Sequence, residues 1–78
     1  MTITVYTQPA CGPCVATKRA LDSQGTTFAE EPAADHLETL RELGHQRAPV
    51  VVVRADDGEV LDHWSQFQLD KIQALKAA

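Results

Sequence analysis

The sequence predicts an α/β fold of order β-α-β-α-β-β-α, with a four-stranded mixed sheet flanked by helices. Three stretches carry that expectation. A β-rich run, Ile3-Thr4-Val5-Tyr6-Thr7, is broken by Pro9 and followed by Cys11-Gly12-Pro13-Cys14, which opens a helical pattern. Val50-Val51-Val52-Val53 lacks polar alternation, as a strand covered by helices on both faces does. Asp57-Gly58 then signals a turn back into Val60-Leu61, which adds an antiparallel pair to the alternating part.

In chain order, Ile3 and Val5 alternate against Thr4 to give the first strand. Pro13–Gln24 follows as a helix: at about 100° per residue, Ala16, Thr17, Ala20 and Leu21 share one arc with Cys14 at its edge, and Val15 falls on the solvent side. Gly25 suits the position just past its end. Thr26–Glu30 has the composition of a second, weaker strand, and Pro32 begins a turn. Asp35-His36-Leu37-Glu38 has capping-box spacing, and Leu37, Leu40 and Leu43 form the stripe of a second helix stopped by Gly44. The hairpin runs through Arg54–Gly58 into a strand ending near His63-Trp64, and Leu69, Ile72 and Leu75 mark a terminal helix. Tyr6 and Phe67 read as core; His36, His45 and His63 read as isolated surface residues.

With 78 residues there is room for a single domain, 1–78, without a second core. A hydrophobic content of 44% argues against disorder. The 7 basic and 11 acidic residues are scattered, with a net charge of −4, so neither a basic nucleic-acid surface nor a polybasic membrane patch is present. No run approaches the ~20 apolar residues of a bilayer span, and Met1-Thr2-Ile3-Thr4 lacks the regions of a signal peptide. The expectation is a cytoplasmic monomer with no nucleic-acid or membrane partner.

Both cysteines of the chain lie in the Cys-x-x-Cys, where a crosslink closes almost no loop and gains little as a staple. At a helix N-terminus the unpaired N–H groups and the dipole favour a thiolate, and Pro13 suits the first helical position. The pair therefore reads as a dithiol–disulfide centre, with a zinc half-site or inert buried thiols as the competing readings. Zinc needs four ligands, and no histidine here has the spacing to supply the remainder. Lys18, one turn beyond Cys14, could assist electrostatically, though an exposed solubilising lysine is the favoured reading. No carboxylate can be assigned near the thiols as a base for Cys14.

Four segments together resemble the thioredoxin superfamily in its glutaredoxin-sized form, and within it the NrdH-redoxins. They are Ile3–Thr7 leading through Pro9-Ala10-Cys11 to Cys14; Thr17-Lys18-Arg19-Ala20-Leu21-Asp22; Ala48-Pro49 with the valine run; and His63-Trp64-Ser65-Gln66-Phe67. The resemblance implies a thioredoxin/glutaredoxin-like fold and a thiol-disulfide oxidoreductase that carries electrons. Cys11 would be the nucleophile, its thiol pKa lowered by the helix N-terminus, and Cys14 the resolving cysteine. Ala48-Pro49 would be a cis bond beside the disulfide, its backbone offering an edge to the substrate peptide. Gly12, Pro13 and Trp64 would complete the substrate-binding set; read plainly, Pro49 could instead merely lead a strand and Trp64 fill a core.

The resemblance also implies partners: a thioredoxin reductase carrying flavin and using NADPH, and a disulfide-bearing client, class Ib ribonucleotide reductase. No bound cofactor and no metal are expected beyond the Cys11–Cys14 redox disulfide. Gln8 stands where glutaredoxins carry a glutathione-binding lysine, and Gln66 and Gln68 replace a signature glycine and arginine of the NrdH-redoxins. A glutaredoxin or mycoredoxin coupled to a low-molecular-weight thiol is the alternative function; a metal-binding carrier using the cysteine pair is another.

Overall fold

The computed structural model describes residues 1–76. Its elements are β1 (Thr2–Thr7), α1 (Gly12–Ser23), β2 (Ala29–Pro32), a 3-10 turn (Ala33–His36) running into α2 (Leu37–Glu42), β3 (Val50–Arg54), β4 (Val60–Ser65) and α3 (Leu69–Lys76). The sheet order is β2-β1-β3-β4, with β1 parallel to β2 and both other pairings antiparallel. The expected α/β architecture is the one found.

Strand periodicity sorts the core into two layers, since alternate side chains point to opposite faces and paired residues share one. Ile3 pairs with Val53 and Val5 with Val51, which pairs in turn with Trp64. These residues pack with Leu21 of α1 and Ile72 of α3 in one cluster. Tyr6 and Val50, and Val52 opposite Thr4, face the other way, where Ala33 and Leu40 close a second cluster. All four valines of β3 are buried, as a doubly covered strand requires.

Both longer turns after helices are Schellman closures. Thr26 N–H reaches Leu21 O at 3.0 Å and Gly25 N–H reaches Asp22 O, with Gly25 at φ 76°. His45 N–H reaches Leu40 O at 2.9 Å and Gly44 N–H reaches Arg41 O, with Gly44 at φ 86°. Gln24 Nε2 also donates to Ile72 O at 2.6 Å, tying the end of α1 to α3.

Several expectations need correcting. The second strand lies at Ala29–Pro32 rather than 26–30, because Thr26 is spent closing α1 and the parallel register places Ala29 opposite Thr4. Pro32 ends that strand instead of beginning a turn; it is tolerated because β2 is an edge strand. The capping box does not form: helix entry runs through a 3-10 turn after extended Pro32, and neither Pro32 nor His36 makes a side-chain cap bond. The leucine stripe is broken, since a six-residue helix buries Leu40 while leaving Leu37 51% exposed. Phe67 is not core; it lies exposed beyond the end of β4, and Trp64 takes the buried place. Tyr6 is buried as expected, its hydroxyl 3.4 Å from the Arg54 guanidinium.

The histidines are not solitary surface groups. His45 Nε2 and His63 Nδ1 lie 2.7 Å apart, and the ring of His36 stands edge-on to Tyr6 at 5.1 Å. Burial, then the nearby His63, holds the His45 pKa below its ordinary value.

Candidate active site

β1 ends at Thr7, and the turn that follows passes through Ala10 at φ 55°, a left-handed conformation uncommon for a residue with a Cβ. That turn delivers Cys11 to the N-cap of α1. Its Sγ accepts the Cys14 N–H at 3.1 Å, and its carbonyl accepts the first helical bond, from Val15 N–H at 3.2 Å. Gly12 therefore takes the first helical position and Pro13 the second, one later than expected. The shift removes no bond, because the first four N–H groups of a helix lack intrahelical partners. The first turn of α1 carries no acidic side chain to oppose negative sulfur.

Cys11 and Cys14 form a disulfide with Cα atoms 5.2 Å apart. Cys11 is the more accessible of the two, at 9% against 2% for Cys14. Gly12 and Pro13 are exposed around it, and the space above Gly12 is open to 4 Å.

The Ala48–Pro49 peptide bond is cis, and Ala48 O lies 3.9 Å from Cys11 Sγ. Ala48 is half-buried and Pro49 buried. Cys11, Cys14, Gly12, Pro13, Ala48 and Pro49 thus meet in one place. Trp64 does not join them: it is 4% exposed, packed in the cluster of Ile3, Leu21 and Ile72, with the Lys71 ammonium 5.5 Å from its ring centroid. It packs there as a core residue.

A shallow depression of about 440 Å³ beside the disulfide is bordered by Cys11, Cys14, Thr7, Lys18 and Glu30. Lys18 Nζ and Thr7 Oγ1 both reach Glu30 Oε2 at 2.9 Å. The Lys18 hydrogen bond, then that of Thr7, holds the Glu30 carboxyl below the usual carboxylate range. Lys18 is therefore ion-paired rather than simply solvated, and a carboxylate does border the thiols. Sequence reading missed Glu30 because it ended β2 at that residue; the observed register sets Glu30 opposite Val5, two residues from the strand's end. On the other side of Ala48, a groove of about 420 Å³ is walled by Leu37, Leu40, Arg41, Arg47 and Gln8.

Among the described residues no three His, Cys, Asp or Glu side chains converge as a metal site, and no helix is long and apolar enough to cross a membrane.

The glutaredoxin family profile matches residues 3–59. The glutaredoxin-like protein NrdH of Salmonella typhimurium is 38% identical, over 96% of this chain and 89% of its own. The structure of NrdH-redoxin from Escherichia coli, a glutaredoxin-like protein described as having a thioredoxin-like activity profile, superposes with a TM-score of 0.81 at 36% identity, covering 96% of this chain and 95% of its own. Reduced desulfothioredoxin from Desulfovibrio vulgaris Hildenborough follows at a TM-score of 0.74 and 26% identity, over 97% of this chain and 78% of its own.

Proposed function

This chain belongs to the glutaredoxin family, as one of its NrdH-type thiol–disulfide redox proteins, and from that premise we propose that it takes electrons from a thioredoxin reductase and reduces protein disulfides, with a class Ib ribonucleotide reductase as its main client. The observation that carries the reading is the placement of Cys11: its sulfur caps α1, accepts a main-chain N–H at 3.1 Å, and is more accessible than Cys14.

In the reduced protein, the N–H bond and the helix end favour Cys11 as thiolate. The thiolate attacks one sulfur of the client disulfide; a Cys11–client S–S bond forms and the client's second sulfur leaves as thiolate. Cys14 then loses its proton and attacks Cys11 Sγ, releasing the client's first sulfur and closing the Cys11–Cys14 disulfide. Two electrons pass to the client, and its two thiolates take up protons from Cys14 and solvent. The dithiol of the reductase reverses the exchange, its own electrons drawn from NADPH through flavin.

The client chain runs past the exposed Gly12-Pro13 and the Ala48 main chain, the groups nearest Cys11. Gln8, in place of the glutathione-binding lysine of glutaredoxins, favours the reductase over glutathione as electron source, as does the similarity to a relative with a thioredoxin-like profile. A cytoplasmic site of action suits a centre that must be kept reduced.

Insulin reduction with NADPH and thioredoxin reductase tests the proposal, and turnover is expected. Failure there, with activity recovered on adding glutathione or mycothiol, would move the protein to the low-molecular-weight-thiol branch.

A further inference from the structure

Gln66 stands at φ 67°, in the left-handed region that disfavours any residue but glycine. Two bonds hold it there. Its N–H donates to Pro49 O at 2.8 Å, and its side-chain Nε2 donates to Ala48 O at 3.3 Å. The first closes the corner after β4. The second covers the carbonyl that lies 3.9 Å from Cys11 Sγ.

That carbonyl is not committed to the sheet. The β3 pairings begin at Val50, opposite Tyr6 and Ser65, and Pro49 has no N–H to extend them. Ala48 O therefore sits at the end of the ladder, on a half-buried residue and beside the reacting sulfur. A half-buried carbonyl needs a donor. Between clients the Gln66 amide supplies it; a polypeptide whose sulfur reaches Cys11 brings a main-chain N–H to the same spot.

We propose that Gln66 is a specificity-determining residue, whose side-chain amide donates to the Ala48 carbonyl and competes there with the main-chain N–H of a client. The proposal rests on the reading that the client runs along Ala48. Its consequence is selective: a peptide or protein disulfide competes with Gln66 for Ala48 O, whereas a small disulfide without peptide N–H groups does not. The exchange chemistry at Cys11 and Cys14 is the same for both.

The test compares wild type, Gln66→Ala and Gln66→Gly in steady-state reduction of insulin and of hydroxyethyl disulfide, driven by NADPH and thioredoxin reductase. Gln66→Ala removes the amide and keeps the backbone bond; Gln66→Gly removes the amide and relieves the positive φ. In both, the ratio of KM for insulin to KM for hydroxyethyl disulfide should fall about 3- to 10-fold, the size of one net hydrogen bond, with kcat for insulin moving less than KM. Agreement between the two variants separates loss of the amide from any change in folding. A ratio equal to wild type in both, or one that rises, overturns the proposal while leaving the redox reading in place. Absence of insulin reduction by the wild type overturns both.

Discussion

The two faces of the sheet carry similar β-branched side chains and are closed by unequal amounts of helix. One face is covered by α1 and α3, and its cluster includes Val5, Leu21, Val51 and Ile72 at 0% exposure together with Trp64. The other is covered by a 3-10 turn and a six-residue helix, with only Ala33 and Leu40 from that cover buried in its cluster. Polar groups gather on the thin face: the Tyr6 hydroxyl with Arg54, and His63, which pairs with Val52 and reaches His45. The difference divides the labour of the site. The thick face fixes α1, and with it the sulfurs, whereas the thin face leads into the loop that ends at Ala48-Pro49, beside Cys11.

The largest expected effect that could break this contrast is on stability. Leu21→Ala removes a fully buried side chain from the thick face and should cost about 3–5 kcal/mol, against about 2 kcal/mol for Leu40→Ala on the thin face, where the short cover can relax. Urea unfolding of the two variants reads the difference; equal losses would mean that the faces are equally packed.

A smaller effect is expected from pH. The folded-state pKa of His45 is held below its unfolded value, so between the two the unfolded chain binds the proton more tightly. Stability from this source is therefore whole above pH ~6.5, near the unfolded histidine value, and falls as pH drops through that value towards the folded one. Protonating both rings also removes the acceptor that the 2.7 Å contact between them requires. Melting temperatures between pH 7.5 and 5 should decline, and His45→Gln should flatten the decline. An unchanged slope in that variant would place the acid sensitivity elsewhere.

The smallest effect tests the thick face from within. The Thr17 hydroxyl is buried without a hydrogen-bond partner among the described residues. Thr17→Val should leave stability within about 1 kcal/mol of wild type or raise it, since an unsatisfied hydroxyl is replaced by a methyl. A loss beyond about 2 kcal/mol would show that the hydroxyl is satisfied in solution.

What could be read in the sequence follows the same division. β3 was legible because four consecutive valines admit no exposed face, and α1 because Cys11, Pro13 and Gly25 mark its two ends. The thin face was misread where local signals competed with tertiary ones: Asp35–Glu38 has capping-box spacing, but the chain leaves the edge strand at Pro32 and enters through a 3-10 turn instead. The His45–His63 contact joins the loop after α2 to β4, and nothing in the neighbourhood of either residue announces it. The exchange of roles between Trp64 and Phe67 did have a signal. Reflecting the chain about Asp57-Gly58 sets Trp64 opposite Val51, on a face already apolar, and leaves Phe67 beyond the last paired residue. Glu30 required the parallel register of β2, which the closure of α1 fixes and composition does not.

The central claim is that Cys11 attacks and Cys14 resolves. Reduced Cys14→Ser, mixed with oxidised insulin-type peptide and analysed by intact mass before and after dithiothreitol, tests it most directly. The expected result is a dithiothreitol-sensitive adduct of protein plus one client chain, mapped to Cys11, that persists for want of the second sulfur. Absence of any adduct, with an equally fast one forming at Cys14 in Cys11→Ser, would contradict the assignment.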